Sequence, residues 1–461
     1  MYKKLIPFIF FILFFQITKA QNEFITIWKP SNPSNSIVGI TTPSTSNQIW
    51  FPGKGNQFSV QWEEIGFPAH IGTLQNVTST KQFLIDFGTA YNPNPNNATY
   101  RVKIKDGNGS FQTIKFPDGV YISNTLWPIF LGYNGDKQKI LDISQWGNTS
   151  WNDMEWAFSE CINMDITAPD APNLSQVTST FGMFYGCTSL TGTPSFNTWN
   201  TSTITNMSHM FAGATNFNQP VGNWNTSMVT NMNWLFHYLD FFNQPIGNWD
   251  TSNVTTMIHM LHECYAFNQD LSNWDTSNVT DMRAMLGDTT NFNHSLENWN
   301  LSSLIQAAGM ITGSGLNCEK YNNTLIGWAN NPATPNNLMI GSVSPMNYSS
   351  QLALSARNNL VINKGWTITG DNYTTECQSL STSEAINKNE MSIYPNPATD
   401  FIYIKNLKGF TSYKIFDTSG RIVLQNLLHE EKIDITPLSK GNYILQIVSK
   451  DNTQSLKFIK N

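Results

Sequence analysis

Apolar residues recur with a fixed period of 25 between residues 198 and 301. The most regular column is a row of tryptophans: Trp199, Trp224, Trp249, Trp274 and Trp299. Within one unit, Val254, Met257, Met260 and Leu261 stand at offsets of 0, 3, 6 and 7, which places them on one face of a short helix. A strict period without insertions predicts stacked structural units.

The polar positions complete this predicted unit. Ser252 precedes the apolar run and is a residue type favoured at a helix N-cap. The stretch around the tryptophan, residues 271–275 in one unit, is the best place for a short extended segment. The tryptophan column has two interpretations: a buried ladder, or an exposed row that stacks on sugar rings. We expect burial, because five exposed indoles would form an apolar stripe.

The segment "MFAGATNFNQPVGNWNTSMVTNM" resembles the repeat of BspA-type leucine-rich-repeat surface proteins of bacteria, a variant also found in mycoplasma lipoproteins. The resemblance implies a leucine-rich-repeat-like solenoid on a secreted or cell-surface protein, and it implies no chemical reaction. We expect each 25-residue rung to hold a short strand plus a short helix. The solenoid is predicted over residues 139–305, with a C-terminal cap over residues 306–377.

Residues 21–138 alternate apolar and polar side chains in segments such as "FSVQWEE", "QFLIDF", "YRVKIKDG" and "FQTIKF". This pattern predicts an N-terminal β-domain. The segment "TYRVKIKDG" resembles the closing strand of a PKD-like domain, although Trp62-Glu63-Glu64-Ile65 stands where that family has a Trp-x-Asp-Gly turn. The domain could act as a spacer or recognition domain, or it could cap the open end of the repeats.

Residues 391–461 show alternating strands separated by turns, which predicts a small β-sandwich. The tail resembles the type A C-terminal sorting domain of the type IX secretion system of Bacteroidota. The resemblance implies export by that machinery and either surface attachment or release. The main matching residues are Tyr394, Pro395, Asn396, Pro397, Asp400, Gly420, Gly441, Tyr443 and Lys460.

The first 20 residues have the layout of a signal peptide. Lys3 and Lys4 precede a short apolar run, and Thr18 and Ala20 are the small residues before a predicted cut. Residues 378–390 are polar and aperiodic, as in a linker. The net charge of −6 argues against a nucleic-acid partner, and the mature chain has no apolar run near the 18 residues of a transmembrane segment.

Candidate chemistry in the repeats is sparse. His259 and His262 stand near Glu263, but their columns also contain tryptophan and alanine, so we interpret them as variable surface positions. Asp250 and Asp275 share a column with asparagines, which favours turn capping over acid–base catalysis. We therefore predict no catalytic residue, no cofactor and no metal site.

The chain has five cysteines. Cys161 and Cys187 share a column, and we interpret them as small buried residues, with a disulfide or a metal pair as alternatives. Cys318 and Cys377 flank the predicted cap and are the candidate disulfide of an exported chain, although sequence alone does not fix connectivity.

Together these features predict a secreted or outer-membrane surface protein with non-enzymatic binding or adhesion through the repeats. The expected partners are the type IX machinery and an extracellular protein or glycan. The alternatives are a structural surface spacer, or a carbohydrate-binding or carbohydrate-active module that uses the tryptophan row. The step from fold to binding is an analogy.

Overall fold

The computed structural model describes residues 22–34, 43–116, 120–122, 129–131, 135–377, 392–394, 398–405, 412–417, 421–428, 431–448 and 453–461. The chain divides into two compact units, Met1–Cys377 and Gln378–Asn461, which are treated separately below. The predicted signal peptide, residues 1–20, and the predicted linker, residues 378–390, lie outside the described residues. The domain boundaries predicted within the first unit stay a prediction.

The first unit begins with β-structure. Its strands are β1 (Phe24–Trp28), β2 (Gln48–Phe51), β3 (Gly53–Glu64), β4 (Phe67–Ser79), β5 (Phe83–Asp86), β6 (Tyr100–Lys105), β7 (Ser110–Ile114), β8 (Val120–Ile122), β9 (Ile129–Leu131), β10 (Ile140–Gln145) and β11 (Asp165–Ile166), with a 3-10 turn at Pro95–Asn97. The main sheet has the order β11-β10-β1-β6-β3-β4, and β7 also pairs with β3. In β6, Tyr100, Val102 and Ile104 are buried on one face because side chains alternate along a strand.

This sheet leads directly into the repeats. Strand β10 pairs antiparallel with β1, and β11 joins β10 in parallel. Phe24 of β1 packs against Trp146 and Trp151, with ring centroids 5.9 and 5.0 Å apart. The sheet and the repeats share one continuous hydrophobic core, so the sheet covers the N-terminal end of that core.

The predicted leucine-rich-repeat-like solenoid, with a short strand plus a short helix in each 25-residue rung, is wrong. Residues 199–316, all of which the structure describes, contain neither a helix nor a strand longer than an isolated bridge. The segment predicted to be helical in one unit, residues 254–261, contains one bridge residue, Thr256, a turn over residues 258–261, and otherwise no regular structure. We call residues 199–316 the repeat stack, because successive units lie directly on one another.

Backbone hydrogen bonds explain why no helix forms. Alternate N–H groups of one unit donate to carbonyls of the next: Met257 to Asp281 at 2.9 Å, and His259 to Arg283 at 2.8 Å. Between them, Met260 N–H closes a turn on Met257 at 3.2 Å. An α-helix would need all these donors within its own segment. The apolar spacing of three therefore belongs to i→i−3 turns, which still bury the side chains.

Two sets of contacts keep the units in register. Isolated parallel bridges join Asn206, Asn231, Thr256, Asp281 and Gln306 in sequence. Asparagine side chains form a second ladder at another corner of the unit. In that ladder the side-chain oxygen accepts from the backbone N–H one unit later: Asn218 from Asn243 at 3.1 Å, Asn243 from Asn268 at 2.9 Å, and Asn268 from Asn293 at 3.0 Å.

The C-terminal end of the stack is covered by a helical segment. Its elements are α1 (Cys318–Asn330), β12 (Met339–Ser342), β13 (Asn347–Tyr348), α2 (Gln351–Asn358), a π-helical turn (Asn359–Asn363), β14 (Thr367–Thr369) and β15 (Asn372–Tyr373). Asn317 caps α1 by accepting from the N–H of Lys320 at 2.9 Å. Gly309 N–H donates to Ile340 of β12 at 2.8 Å, which continues the bonding pattern of the stack into this segment.

The second unit is rich in β-structure. Its strands are β16 (Ser392–Tyr394), β17 (Phe401–Lys405), β18 (Ser412–Phe416), β19 (Ile422–Leu427), β20 (Lys432–Asp434), β21 (Gly441–Val448) and β22 (Thr453–Lys460). They form a three-stranded sheet, β16-β17-β20, and a four-stranded sheet, β19-β18-β21-β22. Ile402, Ile415 and Leu445 are fully buried in a core to which both sheets contribute. Among all described residues, no helix is long and apolar enough to cross a membrane.

Candidate functional site

The tryptophan column lies in the core of the repeat stack. Trp199, Trp224, Trp249, Trp274 and Trp299 are each 1–4% exposed. Four of the indole N–H groups donate to a backbone carbonyl of the preceding unit, as Trp249 does to Val221 at 3.1 Å. Trp224 stacks on both Trp199 and Trp249, with ring centroids 6.2 Å apart in each pair. No face of these rings is open to a sugar, so the column has a structural role.

A different set of aromatic rings approaches the surface of the stack. In the column of His209, Trp234 and His259, the rings lie over one another, with centroids 5.5 and 4.2 Å apart. Next to it, His237 and His262 stack at 5.1 Å. Since identical turns repeat every 25 residues, side chains that are distant in sequence become neighbours. We call these five residues the histidine face.

The backbone places these side chains through left-handed turns. His209, Trp234 and His259 have φ values of 57°, 61° and 52°, a region that residues with a Cβ rarely adopt. Because each unit repeats the same turn, each side chain leaves the backbone in the same direction as the one before it. The direct consequence is a row of rings at this corner of the stack.

The histidines of this face are electrically neutral at pH 7. Burial, and next the proximity of His259, lowers the pKa of His209 to about 4. Burial, followed by the neighbouring His262 and His259, lowers the pKa of His237 to about 2. Burial, and then His262 and Arg283, lowers the pKa of His259 to about 4. Burial also lowers the pKa of His262, against the opposing effect of Glu263 and Asp288.

A cleft of about 260 Å³ opens beside this face. Its lining side chains include Tyr185, His209, Trp234, His237 and Tyr238. His209 is 8% exposed, and neither of its ring nitrogens has a hydrogen-bond partner within the described part of the chain. The cleft therefore presents aromatic faces together with imidazole nitrogens.

Three aromatic side chains in these two units are exposed, and one of them, Tyr238, lines the cleft. Tyr238, Phe241 and Tyr265 are 41%, 60% and 41% exposed. Tyr265 donates its hydroxyl hydrogen to Glu263 at 3.2 Å. Burial, followed by the nearby charge of Glu263, raises the pKa of Tyr238, so Glu263 lies close to tyrosines of two successive units. We call these three aromatic residues and Glu263 the aromatic rim.

Two groups of side chains that include members of the histidine face have the composition and spacing to hold a metal ion. In His237, His259 and His262, one nitrogen of each lies within 4.8 Å of the others. His262, Glu263 and Asp288 meet the same distance limit. The sequence prediction of no metal site weighed only His259 and His262 as ligands. It placed His237 in the column of His262, 25 residues earlier, but took the mixture of residue types in these columns as evidence against a metal.

The carboxylates of Asp250 and Asp275 cap turns in the structure. Asp250 accepts from Ser252 N–H at 3.0 Å, and Asp275 accepts from Ser277 N–H at 2.9 Å. Asn225 takes the same bond in its own unit. The column does not bring a pair of carboxylates into the cleft. The serines two residues later, which we expected as helix N-caps, instead donate their backbone N–H groups to these capping side chains.

The cysteines fall into two classes. Cys318 and Cys377 form a disulfide, with Cα atoms 5.2 Å apart. Cys161, Cys187 and Cys264 are free and buried. Cys187 and Cys264 donate to backbone carbonyls of Phe158 and Phe236 at 3.0 and 2.9 Å. Burial raises the pKa of the Cys187 thiol to about 12, so this thiol is not a nucleophile at neutral pH.

The predicted sorting residues are placed in the second unit as far as it is described. Tyr394 is half exposed and stacks on Tyr403 at 5.6 Å. Asp400 accepts through its backbone carbonyl from Ile435, and Gly441 opens β21. Tyr443 is buried and donates to Ser439 at 2.8 Å, and Lys460 bonds to the Thr399 carbonyl. The remaining four, Pro395, Asn396, Pro397 and Gly420, lie outside the described residues.

Comparison with known proteins gives two family matches. Residues 152–246 and 220–328 match a family described as "Mycoplasma protein of unknown function, DUF285". Residues 392–461 match the secretion system C-terminal sorting domain. The first match agrees with the resemblance to mycoplasma repeats, whereas membership of the BspA-type leucine-rich-repeat family stays a prediction.

Searches for whole-chain relatives add little. The curated proteins give no match. Among solved structures, the chain is similar to PorZ, an essential bacterial surface component of the type-IX secretion system of Porphyromonas gingivalis. The identity is 20%, the alignment covers 17% of this chain and 12% of PorZ, and the TM-score is 0.15, too low to carry an argument. The matched tail at residues 392–461 is a type IX sorting domain, and the protein is secreted or carried on the outer-membrane surface.

Proposed function

We propose that this protein is a non-enzymatic extracellular binding protein whose ligand sits on the histidine face and the aromatic rim of the repeat stack. The observation that carries the proposal is the cleft of about 260 Å³, which is lined by aromatic rings including the exposed Tyr238, with Phe241 and Tyr265 also exposed in the same two units. Exposed aromatic side chains in a cluster are typical of interaction surfaces. A glycan or a surface protein of another cell would meet both ring faces and hydrogen-bonding groups there.

The rigidity of the support favours binding. Each unit of the stack is bonded to the next through its backbone, as in the bond from His259 N–H to Arg283 at 2.8 Å. A pre-formed surface loses little conformational entropy when a ligand docks. The side chains most open to a ligand, Tyr238 and Phe241, project from this fixed backbone.

The hydrogen bonds of the candidate catalytic carboxylates and thiols support the non-enzymatic part of the proposal. Asp250 accepts both the backbone N–H and the hydroxyl of Ser252, which lowers the pKa of its carboxyl. A general acid would need the opposite shift. The thiols of Cys187 and Cys264 are buried and bonded to backbone carbonyls.

The test is an array of glycans and extracellular-matrix proteins probed with the purified protein and two variants. The double variant Tyr238→Ala with Phe241→Ala removes the rim. Met228→Ala removes an equally exposed apolar side chain, 53% exposed, that neither lines the cleft nor belongs to the rim. We expect a specific ligand whose affinity falls at least tenfold in the double variant, or about 1.4 kcal/mol, and stays unchanged in Met228→Ala.

Two results would count against the proposal. A ligand that binds the double variant as well as the wild type would move the binding surface elsewhere. A blank across both arrays would favour the alternative in which the stack is a structural surface spacer.

A further inference from the structure

Three imidazoles from two successive units meet on the histidine face. His237 comes from one unit, and His259 and His262 come from the next. His237 and His262 are 4% and 9% exposed, and His259 is partly buried. Bringing three histidines together is uncommon in a chain that has only seven.

The spacing of the ring nitrogens matches a metal site. The Nδ1 atoms of His237 and His262 are 3.3 Å apart. Two nitrogens bound to one tetrahedral zinc at about 2.0–2.1 Å lie about 3.4 Å from each other. A nitrogen of His259 lies within 4.8 Å of both, so a small rotation of its ring completes a three-histidine set.

Carboxylates surround His262 in the manner expected of a metal ligand. Asp288 Oδ2 lies 3.7 Å from Nε2 of His262. This carboxylate favours the tautomer with its hydrogen on Nε2, in which the lone pair of Nδ1 is directed toward His237. Metal-bound histidines commonly have such a carboxylate behind them. Glu263 Oε1 lies 3.5 Å from Nδ1 of His262, so a second carboxylate lies beside this histidine.

An ion can reach this position from the cleft. His237 and Tyr238 both line the cleft of about 260 Å³, and Glu263 is partly exposed. A proposed metal site needs such an entry path as well as suitable ligands.

We propose that His237, His259 and His262 bind a divalent transition-metal ion of the zinc class, with the fourth coordination position open to water. Imidazole nitrogens select ions such as Zn²⁺, Cu²⁺ and Ni²⁺, whereas Ca²⁺ and Mg²⁺ take oxygen ligands. The ion would cross-link two units of the repeat stack. This inference does not rest on the proposed binding function, since it concerns the ion alone.

The alternative to a metal site is a hydrogen bond between the rings of His237 and His262. One Nδ1–H could donate to the other Nδ1 across the same 3.3 Å, which needs no ion. The two alternatives differ in whether the folded protein takes up a stoichiometric metal ion.

The test uses the full chain without a polyhistidine tag, stripped with chelator and dialysed. Zn²⁺ is titrated against a competing chromogenic chelator, with Ca²⁺ and Mg²⁺ in separate arms, and Co²⁺ is added to read coordination from its visible absorption. We expect one Zn²⁺ per chain, no competition by Ca²⁺ or Mg²⁺, and the intense absorption of four-coordinate Co²⁺.

Variants locate the ion. His237→Gln and His262→Gln should each weaken Zn²⁺ binding at least tenfold. His209→Gln is the matched control, because His209 is equally buried and belongs to the same face but lies outside the three-histidine group. Tryptophan fluorescence and thermal unfolding confirm that each variant is folded.

The proposal is overturned if the folded wild-type protein takes up no stoichiometric Zn²⁺, or if His237→Gln binds it as the wild type does. The wild-type titration decides the matter even if a variant fails to fold. A positive zinc result with blank ligand arrays would retain the metal site and reject the binding function, so the two proposals can fail separately.

Discussion

Exchanging alanine and glycine in the left-handed turns of the repeat stack should change the free energy of unfolding in the direction opposite to that expected in a helix. Ala284 has φ of 49°, and one unit later Gly309 has φ of 74° in the same column. In a left-handed conformation a Cβ costs about 1–2 kcal/mol, so Ala284→Gly relieves strain. Glycine also has more conformational freedom in the unfolded chain, which lowers the stability of the folded state by about 0.4–1 kcal/mol. We expect Ala284→Gly to stabilise the fold by about 0.5–1 kcal/mol.

The reverse change at Gly309 provides the matched experiment. A Cβ built on Gly309 meets its nearest atoms at 3.8 Å, an ordinary contact, so Gly309→Ala changes backbone strain without a clash. We expect it to destabilise the fold by about 0.5–1 kcal/mol. In a helix interior the signs would be opposite, because Ala is favoured over Gly there by about 1 kcal/mol.

The assay is urea unfolding followed by tryptophan fluorescence, with both variants and the wild type in parallel. The unfolding midpoints should move in opposite directions, upward for Ala284→Gly and downward for Gly309→Ala. A downward shift for Ala284→Gly together with an upward shift for Gly309→Ala would refute the turn structure and restore the helix predicted from sequence.

Four further predictions follow from the same contacts. Trp249→Ala should destabilise the fold by about 3–5 kcal/mol, since a buried ring and its hydrogen bond are lost; an unchanged melting temperature would contradict this. Burial lowers the pKa of His209 from 6.5 to about 4, so the unfolded state binds more protons below pH 6.5, and His209 alone should contribute about 2 kcal/mol to the stability lost at pH 5 relative to pH 8, in addition to the losses from His237 and His259. His209→Phe should reduce that loss in thermal scans across pH, and an equal pH dependence would oppose the assignment. Removing the bridge with Cys318→Ala and Cys377→Ala frees a loop of sequence separation 59 and should cost about 4 kcal/mol, visible as a lower melting temperature; melting equal to the wild type would contradict it. Deleting residues 391–461 should retain the protein in the periplasm, and surface display of the truncated chain, measured by protease accessibility, would contradict sorting through this tail.

Part of this architecture could be predicted from sequence, and the reason differs between elements. The period of 25 predicts that Trp224 and Trp249 lie over one another, because any stack of identical units does so. The alternation in residues 100–105 predicts strand β6 for the same geometric reason. The helix in each unit was wrong because an apolar spacing of three is shared by helices and by i→i−3 turns, and periodicity alone cannot tell these apart.

One signal in the sequence could have corrected the helix. The column that contains His209, Trp234, His259 and Ala284 continues with glycine in the next unit, as Gly309, and all five have positive φ. Glycine tolerates that conformation without cost, so its presence in this column points to a left-handed turn. A second column also has positive φ throughout, and it contains Gly186, Gly213 and Gly313 together with Tyr238 and Glu263.

The candidate site was harder to predict because it depends on which columns face outward. The core columns repeat one chemistry, as tryptophan does in five successive units, whereas the columns of the histidine face vary among His, Trp, Ala and Gly. The backbone is the same in every unit, so this variation changes the surface without changing the fold. His237 and His262 meet because the same position was filled with histidine in two successive units, and Gly287 follows in the next. A stack of this kind can therefore acquire a local site by substitution in a few neighbouring units, while the buried ladder beneath it maintains the geometry.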